Sequence, residues 1–264
     1  MAAAMEEPGE GALLSVADLS VRFGGIVALD GVSFQVRRGE IAGLIGPNGA
    51  GKTTLFNCLS RLYGADRGRI TFDGHALLEA RAHQVAALGL GRTFQNLALF
   101  RSLSVAENIL LGRHCRGGGG FLANALRLPR VTRSDRAGRE QVRELLAFLQ
   151  LEHVAHEPVS ALPFGTQKRV ELGRALASEP KLLLLDEPAS GLNHQEVETL
   201  GSLVRDIRDR IGATILLVEH HMNLVMSVSD RVVALDFGRK IADGTPATVR
   251  NNPEVIRAYL GAAA

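Results

Sequence analysis

A glycine-rich turn between a buried strand and a helix constrains this chain more than any other feature. The apolar run 41–45 has β-branched residues at both ends and predicts a buried strand, and the apolar-periodic segment 55–62 predicts a helix. The turn between them has the Gly-x4-Gly-Lys-Thr spacing of a P-loop and consists of Gly46, Pro47, Asn48, Gly49, Ala50, Gly51, Lys52, Thr53 and Thr54. This order of strand, loop and helix predicts an α/β fold.

The residue types in this turn suit a triphosphate nucleotide. Gly46, Gly49 and Gly51 carry no Cβ, so the backbone can take positive φ angles and turn successive N–H groups onto one anion. The following helix directs its positive dipole end at the same point. Lys52 is expected to reach the β- and γ-phosphates, and the Thr53 hydroxyl to bind Mg²⁺. The alternative is a glycine-rich turn that binds nothing.

Length and charge narrow the classes of protein that remain. At 264 residues the chain can form one large α/β domain with an inserted lobe. A net charge of +2 gives no basic footprint for a polyanion, so we expect no direct nucleic-acid partner. The apolar runs 182–185 and 215–218 fall far short of the roughly 20 residues that cross a bilayer. Any membrane role is therefore expected to act through a partner.

The N-terminus and the cysteines indicate a cytoplasmic protein. Residues 1–11 are small and acidic and lack the basic and apolar regions of a signal peptide, so we expect a mobile tail there. Cys58 and Cys115 show neither a metal-binding spacing nor a disulfide framework. This pattern fits a reducing compartment.

Two adjacent carboxylates end a second buried strand. The run 182–185 is all leucine and is followed by Asp186 and Glu187. Ligands of open parallel sheets bind beyond the carboxyl ends of the strands. Because side chains alternate along a strand, the two carboxylates are expected to point in different directions. Asp186 can then hold the Mg²⁺ shell while Glu187 polarises the attacking water.

Four other positions have two open interpretations each. Phe23 can stack on a purine or close a turn in the core, and Gln95 can reach a metal or water near the γ-phosphate or simply end a strand. The strand-end His220, with His221 beside it, can bond a γ-phosphate or be structural. The turn 162–169 opens a helix whose amides can bind an anion or be an ordinary helix start.

Helical patterns without intervening strands predict an inserted lobe. Ser104 and Glu107 form a capping box for a helix over 104–111, and a second helix is predicted over 134–149. We expect a flexible tail at 1–12, a nucleotide-binding α/β core with a β-rich antiparallel subdomain at 13–98 and 177–264, and a helical subdomain at 99–176.

The ordered set of motifs resembles the ATP-binding-cassette (ABC) ATPases over residues 13–260. By this resemblance Phe23 stacks on adenine, the turn 46–54 is the Walker A loop and Gln95 is the Q-loop residue, acting near the reacting phosphate and on the metal. The same resemblance makes Asp186 the Walker B aspartate, Glu187 the catalytic base and His220 the switch histidine. ATP and Mg²⁺ are the implied ligands, with Thr53, Gln95 and Asp186 around the metal.

The chain departs from the family pattern at two places. The signature LSGGQ is replaced by the segment 162–166, in which Pro163 stands where the family has a serine that contacts the γ-phosphate bound by the opposite subunit. That contact is worth roughly 1.5–3 kcal/mol as a hydrogen bond to a charged group. The Gly165 amide and the helix dipole are left to make the anion contact. The resemblance implies Gly165, Thr166 and Gln167 as the nucleotide-binding residues of this segment. The D-loop ends in Asn193 rather than aspartate.

A closer resemblance is to the ATPase subunits of branched-chain amino acid importers. It rests on the segments 22–25, 92–96, 191–193 and 252–261. The implied partners are a second ABC ATPase subunit, identical or related, in a head-to-tail pair, integral membrane permease subunits and, indirectly, a substrate-binding protein. The implied location is the inner face of the cell membrane. Similar C-terminal segments occur in the lipopolysaccharide-export ATPase, and a soluble ABC ATPase or a regulatory subunit with little hydrolysis are further alternatives.

Overall fold

The computed structural model of the chain describes residues 11–93, 97–114 and 129–261. The strands are β1 (Ala12–Phe23), β2 (Ile26–Arg37), β3 (Ile41–Ile45), β4 (Arg67–Phe72), β5 (His75–Ala76), β6 (Leu90–Arg92), β7 (Leu182–Asp186), β8 (Thr214–Val218), β9 (Arg231–Asp236) and β10 (Arg239–Gly244). The α-helices are α1 (Lys52–Leu59), α2 (Ala82–Leu88), α3 (Val105–Leu111), α4 (Pro129–Phe148), α5 (Phe164–Leu176), α6 (His194–Asp206), α7 (Met222–Val228), α8 (Pro246–Arg250) and α9 (Pro253–Gly261). Of the predicted tail over 1–12, residues 1–10 lie outside the described residues, whereas Ala12 is the first residue of β1. Residues 116–120, whose glycine run predicts a flexible loop, also lie outside the described residues.

The described chain divides into two compact units, residues 11–85 with 181–261, and residues 86–180. The first unit contains an antiparallel sheet in the order β2-β1-β4-β5 and a second sheet with neighbours in the order β10-β9-β3-β8-β7. Strands β9, β3, β8 and β7 run parallel, and β10 is antiparallel to β9. The predicted mixed α/β fold with an antiparallel β-rich part is confirmed. The domain limits predicted at 98/99 and 176/177 stay a prediction.

The parallel sheet is buried on both faces. Every residue of β3, β7 and β8 is buried, which is the pattern of strands covered by helices on either side. It explains why these strands are continuous apolar runs in the sequence rather than alternating ones.

The antiparallel sheet corrects one local prediction. The sequence indicates two strands, over 13–16 and 19–23, whereas the structure has the single strand β1 paired with β2. Asp18 has a φ of +49° at the point where the pairing register shifts, and its N–H donates a hydrogen bond to Ser33 Oγ at 2.9 Å. This bulge lets the strand continue through the break in the pattern.

The second unit is largely helical, with the short strand β6 near its start. The capping box of α3 forms as predicted, with Glu107 N–H donating to Ser104 Oγ and Ser104 N–H donating to a Glu107 carboxylate oxygen. Helix α4 starts at Pro129 rather than at the predicted residue 134, because proline is well suited to a first helical turn. Its predicted apolar face is buried and consists of Val142, Leu145, Leu146 and Leu149. No described helix combines the length and the hydropathy needed to cross a bilayer.

Glycines allow α3 and α5 to approach closely. A Cβ on Gly112 would lie 1.9 Å from the carbonyl oxygen of Arg174 on α5, and one on Gly173 would lie 3.0 Å from a methyl group of Ile109 on α3. A backbone carbonyl cannot move aside as a flexible side chain can, so Gly112 is the tighter of the two positions.

We expect Gly112→Ala to lower the free energy of unfolding by about 1–3 kcal/mol, because the added methyl group forces the two helices apart. Urea unfolding followed by circular dichroism measures this change. Gly64→Ala is the matched control, since a Cβ at Gly64 meets nothing within 4 Å. Equal stabilities for the two variants would contradict the close packing of α3 on α5.

Cys58 on α1 is fully buried, and this burial raises the pKa of its thiol to about 11. Because the pKa of the thiol is raised in the folded state, the buried neutral thiol makes its full contribution to the free energy of unfolding at pH values below the ordinary thiol pKa. That contribution is lost as the pH rises toward 11. The stability difference between the natural protein and Cys58→Ala should therefore shrink as the pH rises from about 9 toward 11. Unfolding curves across this range measure it, and a pH-independent difference would contradict the assignment.

Candidate nucleotide-binding site

The parallel sheet brings three loops to one edge. Strand β8 pairs with β3 on one side and β7 on the other, so Val218 at its carboxyl end aligns with Leu44 and with Asp186. The residues that follow each strand therefore leave the sheet at the same edge. This is where ligands of parallel α/β sheets bind.

The P-loop follows β3 at this edge and has the backbone that only glycine allows. Gly46 has a φ of +154°, and a Cβ there would lie 2.3 Å from the Leu235 carbonyl oxygen. Gly51 has a φ of +99°, and its Cβ would lie 2.6 Å from the Ala28 carbonyl oxygen. A side chain at either position would clash with a backbone carbonyl oxygen. Glycine is therefore required for the loop to pack against these backbone segments.

Lys52 is the first residue of α1 and is buried, with 6% of its surface exposed. Its Nζ donates hydrogen bonds to the carbonyl oxygens of Gly46 at 2.6 Å and Pro47 at 2.9 Å. Burial lowers the pKa of this ammonium, and the negative charges of Glu187 and Asp186 act in the opposite direction. Both carboxylates thus lie close enough to act on the Lys52 charge.

Glu187 and His220 form a side-chain pair beyond the ends of β7 and β8. His220 Nε2 lies 2.5 Å from Glu187 Oε1, and the Glu187 side chain is 13% exposed while that of His220 is 43% exposed. Glu187 has a φ of +48°, an uncommon backbone conformation for a residue other than glycine. The structure therefore brings together the two residues that the sequence analysis singled out separately as base and switch histidine.

Glu219 is a site residue that the sequence analysis did not assign. Its carboxylate is 1% exposed and accepts hydrogen bonds from the backbone N–H groups of Ala189 at 2.6 Å, His220 at 3.0 Å and His221 at 3.4 Å. One buried carboxylate thus holds the backbone after Glu187 and the backbone of His220. Its position directly before the histidine was the available sequence signal.

Oxygen donors for a hard cation are present at the same edge. Asp186 ends β7 and is 4% exposed, and Thr53 lies in the first turn of α1 with an exposed side chain. Mg²⁺ prefers oxygen ligands and is commonly held by one or two carboxylates together with phosphate oxygens. The donor set of Asp186 and Thr53 fits this ion.

Phe23 ends β1 and keeps an exposed ring surface. Its side chain is 46% exposed, and its ring packs edge-on against Tyr63 with the centroids 5.2 Å apart. Tyr63 follows the P-loop helix α1 in the chain. The contact therefore links Phe23 to the end of that helix while leaving ring surface accessible for stacking.

The signature segment opens α5 in the second unit. Pro163 occupies the N-cap, and its carbonyl oxygen accepts the Gln167 N–H at 3.0 Å. Gln167 Nε2 donates to the Leu162 carbonyl oxygen at 2.8 Å, and the Lys168 ammonium lies 5.5 Å from the centre of the Phe164 ring. Gly165 and Thr166 lie in the first turn of this helix. Their role in nucleotide binding stays a prediction, and so does that of Gln167.

Gln95 lies outside the described residues, together with its neighbours Phe94 and Asn96. Its predicted role as the Q-loop residue and metal ligand stays a prediction.

A second residue that the sequence analysis did not assign to the site is Tyr259 on α9. Its hydroxyl accepts a hydrogen bond from the Gly46 N–H at 2.8 Å. The segment around it was a mark of family resemblance, but no sequence signal connected it with the P-loop.

Comparison with known proteins agrees with this geometry. The family model described as ABC transporter matches residues 29–190, and the model for the branched-chain amino acid ATP-binding cassette transporter matches residues 239–264. BraF of Pseudomonas aeruginosa, a high-affinity branched-chain amino acid transport ATP-binding protein, is 41% identical over 95% of this chain and 98% of its own length. LivG of Salmonella typhimurium, which carries the same description, is 43% identical over the same shares.

Solved structures show the same fold. A nucleotide-free ATP-binding cassette from an ABC transporter is 29% identical, with a TM-score of 0.81 over 94% of this chain and 98% of the other. The ADP conformation of another such cassette is 30% identical, with a TM-score of 0.81 over 95% and 99% of the two chains. The resemblance that the sequence motifs indicated is confirmed, and the chain belongs to the ABC transporter family as an ATP-hydrolysing, ATP-binding subunit.

Proposed function

We propose that this chain hydrolyses ATP to drive the uptake of branched-chain or closely related amino acids through a membrane permease. The observation that carries the hydrolytic part is the placement of Asp186 and Glu187 within electrostatic reach of the buried Lys52 ammonium. The choice of cargo is supported by the functions named for BraF and LivG and by the C-terminal match over residues 239–264.

ATP binding begins with an exchange of partners at Lys52. The ammonium leaves the carbonyl oxygens of Gly46 and Pro47 and contacts the β- and γ-phosphates, while loop amides and the start of α1 bind the phosphate oxygens. Phe23 stacks on the adenine with its exposed ring surface. Thr53, Asp186 and Gln95 would hold Mg²⁺, which would supply positive charge to offset the negative charge of the triphosphate.

Glu187 is the general base in this scheme. Its carboxylate accepts a proton from the water that attacks the γ-phosphate, and His220, 2.5 Å away, orients that carboxylate. Glu219 holds the backbone of His220 and the backbone two residues after Glu187, because its carboxylate accepts hydrogen bonds from the N–H groups of His220 and Ala189. The water, the base and the histidine are thus kept in a narrow geometry, which is how positioning lowers a barrier.

The working unit in this proposal is a head-to-tail pair of ATPase subunits, identical or related, on the cytoplasmic face of the membrane. The segment 162–167 of one subunit contacts the ATP held by the P-loop of the other. With Pro163 in place of a serine, the Gly165 amide and the dipole of α5 provide that anion contact. Closure of the pair on ATP moves the permease subunits, to which a substrate-binding protein delivers the cargo.

We expect Glu187→Gln to reduce ATP turnover by about 10² to 10⁴, because the amide cannot accept the proton from water. Equilibrium binding of ATP should be retained, since the phosphate-binding amides and Lys52 are unchanged. Steady-state phosphate release and binding of a fluorescent ATP analogue measure the two quantities.

Glu198→Gln is the matched control for this substitution. It makes the same chemical change on α6, where the Glu198 side chain is 71% exposed and pairs only loosely with His194 at 3.6 Å. Its turnover should equal that of the natural protein. Near-normal turnover of Glu187→Gln would contradict its assignment as the base.

The choice of cargo can be tested in cells that naturally contain the protein. Deletion of the gene should reduce the uptake of labelled leucine, isoleucine and valine. Reintroducing the natural chain should restore uptake, and Lys52→Ala should not, since it lacks the phosphate-binding ammonium. Unchanged uptake of all three amino acids on deletion would contradict the proposed cargo while leaving the ATPase assignment intact.

A further inference from the structure

The C-terminal helix α9 reaches the first residue of the P-loop. The hydroxyl oxygen of Tyr259 accepts the backbone N–H of Gly46 at 2.8 Å, across 213 positions of sequence. Gly46 follows the last residue of β3, so this contact holds the point where the strand turns into the phosphate-binding loop.

Helix α9 is held independently of this contact. The Asn252 side chain accepts the Glu254 N–H at 2.8 Å, and the Asn252 carbonyl oxygen accepts the Ile256 N–H at 3.0 Å, which caps the start of the helix. Val255, only 3% exposed, anchors the helix in the core. Tyr259 lies four residues further along and therefore on the same face of the helix. The capped and anchored helix directs the phenol toward Gly46.

The two sides of the Gly46 residue are held by different partners. Its N–H donates to Tyr259, and its carbonyl oxygen accepts from Lys52 Nζ at 2.6 Å. The second of these bonds involves the ammonium that ATP requires for its phosphates. When Lys52 turns to the nucleotide, the hydrogen bond to Tyr259 remains to hold the loop.

A second C-terminal contact holds the middle of the loop. The Gly238 N–H, in the turn between β9 and β10, donates to the Ala50 carbonyl oxygen at 3.1 Å. The same turn packs against Gly51, since a Cβ added to Gly51 would lie 3.5 Å from the Cα of Gly238. The P-loop is thus held at its first and fifth residues by parts of the chain that follow β9.

We propose that Tyr259 is a positioning residue of the nucleotide site, holding the P-loop in its phosphate-binding conformation through the Gly46 amide. The C-terminal helix thereby contributes to the affinity for ATP without contacting it. This inference rests on the ATPase function proposed above. If the loop populates its phosphate-binding conformation for a smaller fraction of the time, the apparent Kd for the nucleotide rises by the same factor.

The test is Tyr259→Phe, which keeps the ring and removes only the hydroxyl acceptor. Loss of one hydrogen bond to the loop should raise the Kd for MgADP and the KM for ATP by about three- to tenfold. The kcat should be unchanged, because Glu187 and His220 are not touched and saturating ATP restores the bound loop. Calorimetric titration with MgADP and steady-state ATP hydrolysis measure these values.

Ile256→Ala is the matched control on the same helix, because the Ile256 residue is 45% exposed and takes part in the cap only through its backbone N–H, which alanine keeps. It should bind MgADP as the natural protein does. Amide hydrogen exchange supplies a direct measurement of the bond, since the Gly46 N–H of nucleotide-free Tyr259→Phe should exchange about three- to tenfold faster.

An unchanged Kd for Tyr259→Phe, or a lower kcat at an unchanged Kd, would overturn the proposal. A fall in melting temperature without a change in Kd would also overturn it, because a purely structural contact behaves in that way. Failure of the natural protein to bind or hydrolyse ATP would instead refute the ATPase function itself. The two failures are therefore distinguishable.

Discussion

The parallel pairing of β3, β8 and β7 is the constraint on which the nucleotide site depends. Because these strands run in the same direction, the P-loop, the carboxylates after β7 and the residues after β8 all leave the sheet at one edge. Each strand is fully buried, so its register is specified by packing on both faces. A slip of one residue would turn every side chain of a strand to the opposite face. The register of the sheet thus places Asp186 and Glu187 near Lys52, and His220 next to Glu187.

Charge compensation at this edge explains how the buried Lys52 ammonium is tolerated. Removing Lys52 from water disfavours its charged form, while two carbonyl oxygens and the nearby charges of Asp186 and Glu187 favour it. The carbonyl partners belong to Gly46 and Pro47, which lie in the same loop as Lys52. No other element of the fold has to be ordered for them to bind the ammonium. Phosphate oxygens can replace them as stronger, charged acceptors. The carbonyl oxygens that bind Lys52 thus mark the position at which phosphate oxygens can bind it.

Residues that hold backbone groups were the least visible in the sequence. Glu219 and Tyr259 both act on N–H groups of residues that other motifs identify, and neither belongs to a motif that names such a role. A local feature was predictable, since the capping box of α3 needs only the pair Ser104 and Glu107, three positions apart. The start of α4 at Pro129 and the continuity of β1 through Asp18 were not predictable from the sequence. A proline can precede or begin a helix, and a break in an apolar pattern can mark either a bulge or the end of a strand.

The sequence by itself determined the strand, loop and helix of the P-loop, the order of the motifs, the buried character of the parallel strands and the family to which the chain belongs. These features depend on residue type and on short spacings, which local sterics and hydrogen bonding convert directly into structure. Only the tertiary structure decided that Glu187 meets His220, 33 positions away, and that Tyr259 meets Gly46, 213 positions away. Such pairs depend on the order of strands in a sheet and on the packing of a helix against it. Neither is encoded by spacing along the chain, because residues distant in sequence are brought together only by burial of the core between them.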